Sequence, residues 1–162
     1  MADLNTLEEK LAEVTGLAGA AVEATKKVES LLDGNDELAQ KLQQMREEAE
    51  ETERRCEAIA EGREGKKTAI LEKARETKGE GVEMMKTYLG GDSDELDGFE
   101  FLTMAEAGEV GHWAILGKVN ESAGEEDVAE LVEWALPIQE RHFSDVKDGS
   151  LQLAAAEDPY ES

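Results

Sequence analysis

The chain has 162 residues, with 17 Lys and Arg against 40 Asp and Glu and a formal net charge of -23. That length suits one domain, and a charge of this sign repels phosphates and anionic headgroups, which makes nucleic acid and acidic membranes poor partners. A composition 35% charged and 4% aromatic approaches that of disordered chains, but 40% hydrophobic residues set at helical spacing, with only 2 Pro, point to a folded, helical protein.

The single cysteine, Cys56, excludes an internal disulfide and any cysteine-based zinc cluster. The start, MADLNTLEEKLAEV, lacks the basic residues and apolar run of a signal peptide, and no stretch approaches the ~20 apolar residues that span a bilayer. A soluble, cytoplasmic protein is expected.

The first helical pattern covers about 4–32, with Leu4, Leu7, Leu11, Val14, Ala18, Ala21, Thr25, Val28 and Leu32 in unbroken three/four alternation. Asp33–Asp36 breaks it, and Asn35 or Asp36 can cap the second helix, about 37–60, whose stripe is Leu38, Leu42, Met45, Ala49, Thr52, Cys56 and Ile59. Two such stripes joined by a short loop make an antiparallel hairpin. A weaker helix follows at 67–89, broken near Gly79 and Gly81, and Ser93 or Asp94 can cap the next, 95–119. That helix is apolar nearly all round, which predicts burial on most sides. Asn120–Glu125 turns the chain, Ser122 is a candidate cap for the last helix at 125–153, and 154–162 reads as a flexible acidic tail. Two hairpins joined by a long connection predict one all-α domain over 1–153, a ferritin-like four-helix bundle with a crossover helix between helices 2 and 3.

Polar residues interrupt faces that should be buried. Glu106, Glu109 and His112 recur at steps of three on one helix, and Gln139 and His142 lie three apart on the last. Folding the hairpin back brings 109 level with 142 and 112 level with 139. Carboxylate and imidazole one turn apart on facing helices is the ligand pattern of di-iron and di-manganese bundles. The same residues also suit a metal-free layer in which each His bonds a Glu and fixes helix register. On the second helix Glu48 flanks the stripe; on the first, Glu23 matches it in height but falls off the stripe. Pro137 should kink the last helix just before Gln139 and His142. Trp113 and Trp134 read as core, and Cys56 as an inert buried thiol.

Three segments in order, Glu47–Glu57 (EEAEETERRCE), Gly65–Gly81 (GKKTAILEKARETKGEG) and Glu109–Leu116 (EVGHWAIL), resemble the YciE/YciF-type ferritin-like stress proteins of bacteria and archaea. The resemblance covers about two thirds of the chain. It implies a ferritin-like bundle, usually a homodimer, with a dinuclear metal centre and a role in stress response. The family's second-helix histidine falls on Glu48, the glutamates flanking its third-helix histidine on Gly111 and Ala114, and its fourth-helix acidic pair on Gln139 and Glu140. An iron or manganese site would therefore draw on Glu109, His112, His142, Glu106 and Glu48, with Gln139 as a weak ligand or a support behind the ligands. A redox-active centre of that kind would act on oxygen or peroxide. The competing expectation is a metal-free protein that dimerises, or binds a partner, through its heptad stripes.

Overall fold

The computed structural model describes residues 2–161. Five helices follow one another: α1 (Thr6–Leu31), α2 (Asp36–Glu61), α3 (Lys67–Tyr88), α4 (Glu95–Ala123) and α5 (Glu126–Ala155). No strand occurs among the described residues, and no helix is long and apolar enough to cross a membrane. Capping fixes three of the starts. Asn5 accepts from the Glu8 amide while Glu8 reaches back to the Asn5 amide, Asp94 and Asp97 repeat that box, and Asn35 caps α2 through the Leu38 amide.

Some expected boundaries shift, each for a local reason. Ser122 is not a cap: α4 continues through Ala123 and ends at Gly124, whose φ of 66° supplies the left-handed turn. The Asn120 side chain then holds the Glu125 backbone from both sides, donating to its carbonyl at 2.9 Å and accepting from its amide at 3.3 Å. Gly79 and Gly81 do not break α3, which is continuous, and α5 continues through Pro137 to Ala155.

α1 packs on α2, α3 and α4, and α5 packs on α2 and α4. Gly98 of α4 lies against Val28 and Leu31, so α4 runs antiparallel to α1; Gly149 of α5 lies against Phe99, so α5 runs antiparallel to α4. α3 lies along the outer side of α1 in the same direction, with Ala74 and Thr77 over Gly16 and Gly81 over Ala20. A Cβ at Gly16 would stand 2.3 Å from the Ala74 carbonyl oxygen, so glycine lets the two backbones touch. Gly16→Ala is expected to cost about 1–3 kcal/mol by forcing α3 outward, even though alanine is the better helix former. Urea denaturation checks this, and an unchanged midpoint would mean the contact is easily relaxed.

The heptad stripes close on one another inside the bundle. Leu11, Val14, Ala18, Ala21, Thr25 and Val28 of α1 are buried, as are Leu38, Leu42, Met45, Ala49, Thr52 and Cys56 of α2. The core has two apolar halves. One gathers Leu11, Val14, Cys56, Ile70, Trp113, Leu116, Val128 and Leu131. The other gathers Val28, Leu38, Leu42, Met45, Phe99, Leu102 and Val146. Between them the clustered apolar side chains are small: Ala21, Val22 and Ala49. α4 is less enclosed than its composition predicts, because Met104 and Ile115 stay exposed.

Candidate functional site

Small residues on α1 and α2 at the waist leave room for long polar side chains from α4 and α5. Glu106 and Glu109 are 1% and 3% exposed, and Gln139 and His142 are equally buried. The Gln139 amide, oriented by its hydrogen bonds, donates to Glu106 Oε2 at 3.0 Å and to Glu109 Oε2 at 3.1 Å. One neutral side chain thus bridges two buried acids. Burial pushes the Glu106 carboxyl up to about 8, and burial together with the charge of Glu106 holds Glu109 well above the ordinary range. At neutral pH the pair therefore retains protons instead of carrying two charges.

One turn along α5, His142 donates from Nε2 to Glu48 Oε1 at 3.1 Å. Arg141 donates to the other Glu48 oxygen. Partial burial works against ionisation of Glu48, but the bonds from Arg141 and His142 outweigh it and hold the carboxyl below its usual range. His142 shows the opposite balance: burial depresses its pKa despite the bond to Glu48. A neutral imidazole thus donates to an ionised carboxylate, and Arg141 neutralises that carboxylate from the solvent side.

His112 does not join this layer. Its side chain is 42% exposed, 3.9 Å from Glu13 of α1, and its Nδ1 donates to the carbonyl of Gly108 in its own helix at 2.9 Å. Residues three apart on a helix differ by about 60° in direction, so Glu109 enters the core while His112 turns toward α1. Gln139 meets Glu109 and Glu106 instead of lying level with His112. Glu23 is off the stripe as expected, near Lys26 on the surface.

Among the described residues no three His, Cys, Asp or Glu side chains converge as a metal would require. The donors are committed elsewhere: Glu48 to Arg141 and His142, Glu106 and Glu109 to Gln139, His112 to its own backbone. In this arrangement the side chains do not fit a dinuclear iron or manganese centre. Cys56 is fully buried, and burial pushes its thiol up to about 12, which removes it as a nucleophile at neutral pH.

The Gln139 bridge differs in kind from the expectation of Gln139 as a weak metal ligand or a support behind the ligands. Its signal was present, since a glutamine three residues from His142 on an apolar stripe is a neutral donor placed to satisfy buried acids. No family model matches the chain, no curated protein matches it, and no solved structure matches it.

Proposed function

We propose that this protein is a non-enzymatic interaction protein on a ferritin-like bundle, and that its interior Glu/Gln/His layer sets helix register without holding a metal. The ferritin-like reading draws support from α1 running antiparallel to both α2 and α4, with α3 returning along the outside of the bundle. The observation that carries the metal-free reading is the Gln139 amide shared by Glu106 and Glu109, which gives both acids a partner with no ion. Since the heptad stripes are consumed inside the bundle, contact with a second copy or another protein falls to exposed apolar residues of α3 and α4, namely Met84, Tyr88, Met104 and Ile115.

One observation favours the rival reading, an iron or manganese site: two buried carboxyls are the groups a cation would neutralise. That reading requires Glu48 to leave Arg141 and His112 to swing inward. Elemental analysis of protein purified without chelator or His-tag decides between them. The expected result is no stoichiometric iron or manganese, with His112→Ala changing stability by less than about 0.5 kcal/mol, as for an exposed side chain outside the packing. One or two tightly held ions per chain, lost in Glu109→Ala/His142→Ala, would overturn the metal-free reading. Light scattering on the same sample tests self-association.

A further inference from the structure

α3 packs on α1 and α2, while α4 packs on α1 and α5. A valley is left between α3 and α4, with Tyr88 and Phe101 in ring contact at one end, 5.6 Å between centroids. Its outer part is an open groove of about 700 Å³ along Glu80, Glu83, Met84, Tyr88 and Met104. An apolar cleft of about 210 Å³ continues inward over Leu17, Ala20 and Ala24 of α1. Gly81 and Gly108 line that cleft and carry no side chain to fill it. Met84, Tyr88 and Met104 stand 59%, 49% and 45% exposed along this one valley. An apolar surface gathered in this way, with polar residues at its rim, marks an interaction site.

We propose that this valley binds a basic amphipathic helix of a partner protein, its apolar face on Met84, Tyr88 and Met104 and its lysines or arginines toward Glu80, Glu83 and Glu100. The charge of the rim decides the kind of partner. Glu80 comes one turn before Met84 and Glu100 one turn before Met104, so each exposed acid lies on the same side of its helix as the methionine. No Lys or Arg lines either the groove or the cleft. Lys86 reaches Glu83 at 3.6 Å, in an exposed pair of the kind worth ~0–1 kcal/mol and open to exchange. His112 lines the inner cleft, beside Glu13. A second copy is the poorer occupant, because it would bring a further charge of -23 against these acids. A helix fits better than an extended segment. Walls and floor are all helical, so no free backbone edge is there to pair with a strand. A helix laid between two others packs its ridges into their grooves and keeps its own backbone bonds. Methionine walls adapt to different apolar faces, so recognition rests on the amphipathic pattern more than on one sequence. The proposal rests on the reading that the protein acts by binding a partner.

Titration calorimetry on the full chain, in salt of about 0.15 M to screen distant charges, compares three synthetic peptides of about 18 residues, or five helical turns. The first carries leucine along one helical face with lysine on both flanks. The second has the same face flanked by glutamate, and the third scrambles the order of the first. The expected result is saturable binding of the first peptide at one per chain, with the other two at least about tenfold weaker, a difference of about 1.4 kcal/mol or more. Met84→Lys/Met104→Lys changes only exposed side chains, so circular dichroism should stay that of the parent while binding falls at least about tenfold. Glu80→Lys/Glu83→Lys is expected to weaken binding about tenfold. Glu130→Lys/Glu133→Lys has the same spacing and charge change on exposed positions of α5 outside the groove and the cleft, and is expected to weaken it less than about threefold. A scrambled peptide that binds as tightly as the first, equal losses in the two glutamate pairs, full binding in Met84→Lys/Met104→Lys, or no saturable binding would each overturn the proposal. Light scattering and elemental analysis keep the readings separate. A dimer of the parent that Met84→Lys/Met104→Lys dissociates would put a second copy in the valley, overturning the helix site while the interaction reading stands. Stoichiometric metal with peptide binding intact would overturn the metal-free layer and leave the helix site in place.

Discussion

Replacing Glu106 and Glu109 together by glutamine is expected to stabilise the fold at pH 8, by on the order of 3 kcal/mol, and to flatten its pH dependence. Both carboxyls have raised pKa values in the folded chain, Glu106 at about 8 against 4.5 for the free group. Between those pH values the folded state binds more protons than the unfolded state, and stability then falls as pH rises. The pair's contribution is fully present below about pH 4.5 and is lost as pH climbs through 8. His142 has the opposite sign. Burial lowers its pKa from 6.5, so its contribution is present above pH 6.5 and is lost on acidification below it. Glu48, held below 4.5 by Arg141 and His142 against its desolvation, contributes above pH 4.5 and loses that contribution as pH falls further. Two raised carboxyls outweigh one lowered imidazole above pH 4.5, so the parent should be most stable near about pH 4.5–5 and lose stability steadily as pH rises, despite being a protein rich in acids. Urea midpoints at pH 5, 6.5 and 8 for parent and double variant provide the check. Equal slopes in the two proteins would show that the pair is not the group titrating.

Gln139→Leu is expected to be among the most damaging single substitutions in the protein, costing about 2–4 kcal/mol at pH 8. It removes the shared donor from Glu106, partly ionised at that pH, and from Glu109, which still holds its proton. A hydrogen bond to a charged group is worth ~1.5–3 kcal/mol and a neutral one ~0.5–1.5 kcal/mol. At pH 5, where the pair is protonated, the cost should fall to about 1–2 kcal/mol, the range for neutral hydrogen bonds. Placed in the Glu106→Gln/Glu109→Gln background, the same substitution should cost about 1 kcal/mol, since two neutral amides tolerate an apolar neighbour better than two acids do. Such coupling is what a double-mutant cycle measures. A cost at pH 8 no larger than at pH 5 would sink the account of Gln139 as a bridge between acids.

Much of the architecture was legible because the chain's apolar residues carry little ambiguity. The stripe from Leu11 to Val28 places α1, and the one from Leu38 to Cys56 places α2, with the Asn35 cap between them. The candidate site was only half legible, for two geometric reasons. Levelling 109 with 142 centres the hairpin between residues 125 and 126, whereas α4 ends at Ala123 and α5 starts at Glu126, which centres it one residue earlier, between 124 and 125. Small shifts of a turn move the facing residue by twice as much, and Gln139 consequently meets Glu109 and Glu106 rather than His112. The second reason is angular. A step of three leaves a helix face by about 60°, enough to put Glu109 inside and His112 at the surface. Glu48, expected as a metal ligand, bonds His142 and Arg141, and nothing in the apolar stripes marks an outward arginine beside that histidine as its partner.

The split interior has a consequence for the order in which the protein assembles. Each apolar half is closed by short turns: α1 joins α2 around residue 34 in one half, and α4 joins α5 at Gly124 in the other. Contacts such as Val28 with Leu38, or Leu116 with Val128, therefore span short loops that lose little entropy on closing. The waist offers no such shortcut. Its bond between Glu48 and His142 joins residues 94 apart, so it forms only after both ends have brought the helices into line. The layer that decides which helices face each other is then the last to be inspected, and a chain that docks its ends one turn out of register meets two unsatisfied acids before it can finish folding.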